Sequence, residues 1–358
     1  MKVGIVGLPN AGKSTLFNAL TQGGAQTGDY PFTTIEPNVA VAEVPDERLD
    51  RLTEALKSNK VTRATIDFHD IAGLVKGASE GEGLGNQFLA SIRETDAICH
   101  VVRAHTDENI PHPEGSVDPL RDIETIETEL VLADFDQAER RLERVTKQAR
   151  SGDPEAIAEK EWLERVRDAL AEGKPVRSVP VPENAPDAVR HLQALTSKPM
   201  LYVVNVDEGE AEVPEEVANY ARENGAVAIA LSHRIEGELA ELEPAEATEM
   251  RESLGVAAES GLNRLVKAAW DLLGLITFFT AGEGNEAVAR PLPAGSTAYE
   301  AAGTIHTDIQ EGFVKAEVIG WDELVELGSY AAARDAGQLR IEGREYVIHD
   351  GDVVTIKV

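Results

Sequence analysis

Gly7-Leu8-Pro9-Asn10-Ala11-Gly12-Lys13-Ser14 is the stretch that decides how this chain is read. It follows an apolar run, Val3-Gly4-Ile5-Val6, and precedes Leu16, Phe17 and Leu20, whose spacing predicts a helix beginning at Lys13. A glycine-rich turn between a strand and a helix aims backbone N–H groups at one point, where the helix dipole adds positive potential. Asn10, Ala11, Gly12, Lys13, Ser14 and Thr15 are therefore expected to cradle phosphates. Lys13 supplies a point charge for the β- and γ-phosphates, and the Ser14 hydroxyl a Mg²⁺ ligand. The expected ligand is a nucleoside triphosphate.

Two later segments extend that reading. Asp70-Ile71-Ala72-Gly73 closes an apolar strand, so Asp70 can hold the metal through water while the Gly73 N–H meets the γ-phosphate. Between the two, Tyr30-Pro31-Phe32-Thr33-Thr34 offers a second hydroxyl ligand at Thr34. The base is a separate question. A guanine site usually carries Asn-Lys-x-Asp, whose carboxylate takes N1–H and the 2-amino group; here the segment is Asn205-Val206-Asp207-Glu208. Adenine has neither donor, and a buried acid left unpaired against it would be costly. Glu208 replaces the acid with one extra methylene, and the Asn205 amide can pair with adenine N7 and N6. ATP is the expected substrate, with GTP as the alternative should Asp207 swing in. Ser232-His233 is expected beneath the base.

The water-orienting glutamine that many switch GTPases place after Asp-x-x-Gly is Leu74 here, so unaided hydrolysis is expected to be slow. His112, within Asn109-Ile110-Pro111-His112-Pro113, is a candidate polar group for the γ-phosphate, the alternative being a loop histidine without function. Lys76 and Arg93 are weaker candidates for charge.

Apolar runs predict an α/β fold with strands over residues 2–7, 38–44, 64–69, 97–104, 200–206 and 227–231, and a closing helix over 261–273. Within 121–195, Leu132, Phe135, Ala138, Leu142, Val145 and Ala149 recur at helical spacing, and Leu163, Val166 and Leu170 do so after a break at Gly152-Asp153-Pro154. An antiparallel, coiled-coil-like hairpin is expected there. Beyond 276 come strands over 276–280 and 287–292, a helix over 298–305, a strand over 314–319, a helix over 323–336, a hairpin about Glu342-Gly343 and a last strand over 353–358. That order suggests a ubiquitin-like β-grasp module.

Acidic residues outnumber basic ones by 64 to 34, for a formal charge of -30, spread along the chain. Such self-repulsion is screened when the Debye length falls to about 3 Å near 1 M salt. A halophilic source with a salty cytoplasm is the expectation, an ordinary acidic protein the alternative. The charge also argues against nonspecific nucleic-acid binding, which relies on Lys and Arg. No apolar run is long enough to span a membrane and no secretory leader is read, so a cytoplasmic protein is expected. Cys99 is the single cysteine, in an apolar strand, so no internal disulfide can form.

These motifs, with Gly73-Leu74-Val75-Lys76-Gly77-Ala78 and Gly81-Glu82-Gly83-Leu84-Gly85-Asn86, closely resemble the YchF/Obg-like ATPase family of Obg-related translation-factor GTPases. The resemblance covers essentially the whole chain, including Gly115-Ser116-Val117-Asp118-Pro119, Phe278-Phe279-Thr280-Ala281-Gly282, Ile305-His306-Thr307-Asp308 and Asp350-Gly351-Asp352-Val353. It implies an OBG-type G domain (a P-loop NTPase) in 1–120 and 196–275, a helical insertion in 121–195 and a C-terminal TGS domain in 276–358. It also implies ATP hydrolysis and association with the ribosome, as large subunit or 70S particle, with no membrane or sequence-specific DNA partner. The Val206 backbone becomes an adenine contact, and Asn10 resembles the asparagine of K⁺-dependent relatives. Two departures stand out. Many bacterial members carry cysteine where Thr33 stands, and a familiar tryptophan segment reads Val288-Ala289-Arg290-Pro291-Leu292. An Obg-type GTPase, or a binding module with incidental hydrolysis, remains the alternative.

Overall fold

The structure is a computed structural model, and it describes residues 1–24, 38–71, 84–107, 109–257 and 259–358. In chain order the elements begin with β1 (Lys2–Val6), α1 (Lys13–Gly24), β2 (Val39–Glu43), α2 (Glu47–Leu56), β3 (Lys60–Thr62), β4 (Thr65–Asp70), α3 (Leu84–Arg93) and β5 (Ala97–Arg103). Next come α4 (Pro119–Ala149), α5 (Pro154–Ala171), α6 (Ala188–Leu192), β6 (Met200–Asn205), α7 (Glu215–Glu223), β7 (Val227–Leu231), α8 (His233–Ala240), α9 (Pro244–Leu254) and α10 (Gly261–Leu272). The chain ends with β8 (Leu275–Ala281), β9 (Glu286–Pro293), α11 (Ala298–Ile305), α12 (Thr307–Glu311), β10 (Lys315–Gly320), α13 (Trp321–Leu327), α14 (Tyr330–Asp335), β11 (Arg340–Glu342) and β12 (Asp352–Lys357).

One compact unit holds residues 1–23 and 67–265. Its parallel strands run in the order β4-β1-β5-β6-β7. Strands buried on both faces are mostly apolar, and every residue of β5 and β6 is buried, the polar His100, Arg103 and Asn205 included. The chain departs from β1 towards β4 on one side and β5 on the other. The carboxyl end of β1 is thus a topological switch point, where open α/β sheets place their ligands. The fold is that of a P-loop NTPase.

The helical insertion forms where the 3.6-residue period predicts it. Asp118 caps α4 by accepting from the Arg121 N–H with Pro119 in the first turn; Asp153 and Pro154 open α5 in the same way. Gly152, at φ +83°, makes the reversal between them. Val145, Trp162, Leu163 and Val166 are all 0% exposed and form the seam.

The second unit holds residues 41–66 and 266–358. Its sheet is ordered β11-β10-β12-β8-β9-β3. The three-residue β3 pairs in parallel with β9, Val61 opposite Ala287. α2 lies on the same unit because Leu49, Leu52 and Leu56 share one face, all buried, under an Asp46 cap. Two expectations change. The helix expected over 323–336 is two helices, since Gly328 at φ +73° ends α13 and Ser329 caps α14. The hairpin expected about Glu342-Gly343 does not form, because β11 pairs only with β10 and β12 lies on the far side of β10. No helix among the described residues is long and apolar enough to cross a membrane.

Candidate nucleotide site

The loop after β1 passes so close to β5 that a Cβ on Gly7 would stand 2.4 Å from the Val101 carbonyl oxygen. α1 begins at Lys13, and the opening amides of a helix have no intrahelical acceptor, so the turn ends in donors. Lys13 folds back to donate from Nζ to the Gly7 and Leu8 carbonyls, each at 2.9 Å. Burial holds its ammonium below the usual lysine range, partly offset by the Asp70 carboxylate. Asp70 ends β4, opposite Ile5 of β1.

Gly12 is the most constrained residue of the loop. It sits at φ +104°, and a Cβ there would meet Asn205 Nδ2 at 2.6 Å and His233 Nδ1 at 2.7 Å. Those two side chains form a clamp. Asn205 Nδ2 donates to the Ala11 carbonyl at 3.1 Å, and its Oδ1 accepts the His233 N–H at 3.1 Å. His233 Nδ1 lies 3.0 Å from the Gly12 carbonyl, and since a carbonyl only accepts, Nδ1 must carry the proton. Burial pushes the His233 imidazole down to about 4. Asn205 thus joins β6 to the phosphate loop, and its second amide hydrogen and second oxygen lone pair are the groups the expected adenine pairing would use.

A cleft of about 1270 Å³ opens beside this clamp. Asn10, Gly12, Lys13, Ser14 and Thr15 line it together with Asn205, Val206, Glu208 and Ser232. Ala11 is buried beneath, 2% exposed. The Val206 N–H donates to the Leu231 carbonyl at 3.3 Å. Glu208 pairs with Arg234 at 3.1 Å, and Ser232 caps α8. Thr34 and Gly73 lie outside the described residues.

His112 is engaged by its own loop and by α4. Its Nδ1 accepts the Glu114 N–H at 3.1 Å, so the other nitrogen carries hydrogen and donates to Asp122 Oδ2 at 2.8 Å. Both side chains are nearly closed to solvent, 5% and 4% exposed. The imidazole pins its loop to the first turn of α4 and is not among the residues that line the cleft. Asn10, at φ +64°, touches the same loop by donating from Nδ2 to the Pro111 carbonyl at 3.0 Å.

Sequence reasoning passed over Arg103. Buried at the end of β5 and 2% exposed, it donates to the carbonyls of His105, Asp107 and Ile110. It thereby shapes the loop that supplies His105, Thr106, Asp107, Asn109 and Ile110 to the cleft. An arginine ending a strand whose only other polar residue is His100 was the available signal.

For a metal, the described oxygen donors are Ser14 and Asp70, and no cluster of three acidic, His or Cys side chains suited to a metal occurs among the described residues. That sparse, all-oxygen set fits Mg²⁺, which keeps waters and takes further ligands from substrate phosphates.

Comparison with known proteins agrees with this geometry. A family profile described as a 50S ribosome-binding GTPase matches residues 2–139. A profile named YchF-GTPase_C, described as a protein of unknown function, matches residues 275–358. The "Ribosome-binding ATPase YchF" of Bacillus subtilis is 50% identical over 360 residues, 99% of this chain and 98% of that protein. The chain belongs to the YchF family. The YchF protein of Escherichia coli O157:H7 is 46% identical over 99% of this chain and 98% of its own. The solved structure of the Schizosaccharomyces pombe YchF GTPase superposes with a TM-score of 0.88 at 36% identity, covering 100% of this chain and 97% of that one. A GTP-binding protein of Pyrococcus horikoshii, at 20% identity and a TM-score of 0.64 over 100% of this chain and 99% of its own, shares the fold.

Proposed function

We propose that this chain is a Mg²⁺-dependent ATPase that works as a slow, ribosome-associated molecular switch in the cytoplasm. The observation that carries the reading is one cleft lined by two motifs. A complete phosphate loop, held by Asn205 and His233, shares the cleft with Val206 and Glu208, where a guanine site would place lysine and aspartate. The printed names of the YchF relatives, which speak of an ATPase and of ribosome binding, support the activity and the partner.

Lys13, Ser14, Thr15 and the loop amides would bind the phosphates. Lys13 would exchange its two loop carbonyls for phosphate oxygens when a nucleotide enters. Ser14, Asp70 and Thr34 would hold Mg²⁺, which neutralises phosphate charge when bound. The Gly73 N–H would register the γ-phosphate. Asn10 has its amide nitrogen committed to Pro111, which leaves Oδ1 to meet K⁺. Stimulation of hydrolysis by K⁺ over Na⁺, lost in Asn10→Ala, is the expected sign of that role. Residues 121–195 would act as a helical arm and 276–358 as a TGS-type module; the α4–α5 seam and the sheet around β8, β9, β10 and β12 support that division.

The test is a titration of the purified chain with ATP and GTP, each with Mg²⁺, in molar KCl. ATP is expected to bind about tenfold or more tighter, ~1.4 kcal/mol, and Lys13→Ala to abolish binding. Equal or tighter GTP binding would replace the ATPase with a GTPase, and affinity retained in Lys13→Ala would remove the site assignment.

A further inference from the structure

Asp207 is an acid that lines the cleft in a segment where other proteins read guanine, and it is already engaged. Its Oδ2 accepts twice from Thr106, from the backbone N–H at 3.1 Å and from the hydroxyl at 3.0 Å. A carboxylate oxygen has two lone-pair sites, so this oxygen is saturated. Reading guanine takes both oxygens of one carboxylate, one for N1–H and one for the 2-amino group. With Oδ2 filled, Asp207 offers only Oδ1.

Both partners stand on fixed backbone. The carbonyls on either side of Thr106, those of His105 and Asp107, are held by the buried Arg103 guanidinium. On the other side, the Val206 N–H is tied to β7 through Leu231. Glu208 differs: its ion pair with Arg234 joins side chains 52% and 73% exposed, where such pairs contribute little. Adenine presents no donor that needs a carboxylate, so a filled Asp207 takes nothing from ATP, whereas guanine would lose one of two charged hydrogen bonds.

We propose that Thr106 is a specificity-determining residue: it holds Asp207 in a saturated state and so excludes guanine nucleotides, with Arg103 as the positioning residue behind it. This rests on the nucleotide reading of the cleft given above. It predicts a contact between two exposed loops whose removal changes which base is bound, where a merely structural contact would weaken all nucleotides together.

The experiment measures ATP and GTP dissociation constants, both with Mg²⁺, for the full chain and for Thr106→Ala, Thr106→Ser, Asp207→Asn and the Thr106→Ala/Asp207→Asn pair. Thr106→Ala frees one acceptor site on Oδ2, and GTP is expected to gain on ATP about fivefold, the ~1 kcal/mol of one net hydrogen bond, through tighter GTP binding. Thr106→Ser restores the hydroxyl and keeps the parent ratio. Adding Asp207→Asn to Thr106→Ala cancels the gain, because the freed acceptor is gone. A ratio within twofold of the parent in Thr106→Ala overturns the proposal, as does a shift produced by lost ATP affinity or one that persists in the double variant. If the unsubstituted chain binds neither nucleotide, the reading of the cleft falls first; if it binds ATP and only the Thr106→Ala ratio stays put, this proposal alone falls.

Discussion

Replacing Asn205 with alanine separates two roles that one amide can play. In the structure it closes the clamp on Gly12, donating to the Ala11 carbonyl and accepting the His233 N–H, at 6% exposure. Truncation leaves both backbone groups without a partner in a buried place, at about 1–3 kcal/mol each, so the penalty is ~2–6 kcal/mol. Part of it falls on folding. The remainder falls on binding, since a loop relaxed away from its cradle must be rebuilt around phosphate. With ~2 kcal/mol on that side, affinity drops about thirtyfold. The loss is independent of the base, because Ala11 and Gly12 belong to the phosphate end. Calorimetric titration with ATP, GTP and inorganic tripolyphosphate is the assay, with a thermal melt of the same samples. All three ligands are expected to weaken by a common factor. A variant that loses ATP but keeps GTP and tripolyphosphate would refute this role of the clamp and assign Asn205 to reading adenine.

Three further outcomes are expected. Stability should rise between about 0.1 M and 2 M KCl as screening relieves the self-repulsion of a chain carrying a formal charge of -30; a melting temperature indifferent to salt would refute this. Arg48→Ala removes ion pairs to Asp46 and Asp350 and a contact over the Phe279 ring, so the second unit should lose about 1–2 kcal/mol, discounted for partial exposure; unchanged thermal unfolding would show that α2 needs none of them. His100 on β5 is buried, with neither ring nitrogen partnered among the described residues, and burial pushes it from 6.5 down to about 3. Below pH 6.5 the unfolded chain takes up a proton that the folded one refuses, so stability present above that pH is lost as pH falls, at about 1.4 kcal/mol per unit. His100→Phe, which keeps an aromatic ring against Tyr202, should flatten the slope by that amount in denaturant titrations, and an unaltered slope would refute the assignment.

Sequence alone determined what neighbours along the chain dictate. Val3–Val6, the glycine turn and the helix at Lys13 form one strand–loop–helix unit whose chemistry is complete within it. The seam of α4 and α5 was legible because helical period and Gly152 are local, and β5 and β6 because strands buried on both faces are mostly apolar. The break at Gly328 was local too, but one glycine does not distinguish a tolerated helical residue from a cap without its φ. Tertiary structure decided the partners of the polar side chains. Asn205 and His233 reach the phosphate loop across 194 and 221 positions, and β3 finds β9 although three residues carry no readable period. His112 turned to Asp122, and Asp207 to Thr106, because a buried or half-buried polar group takes whichever donor or acceptor the fold brings near. Residue type and spacing determine what chemistry a side chain can perform; only packing decides which atom it meets.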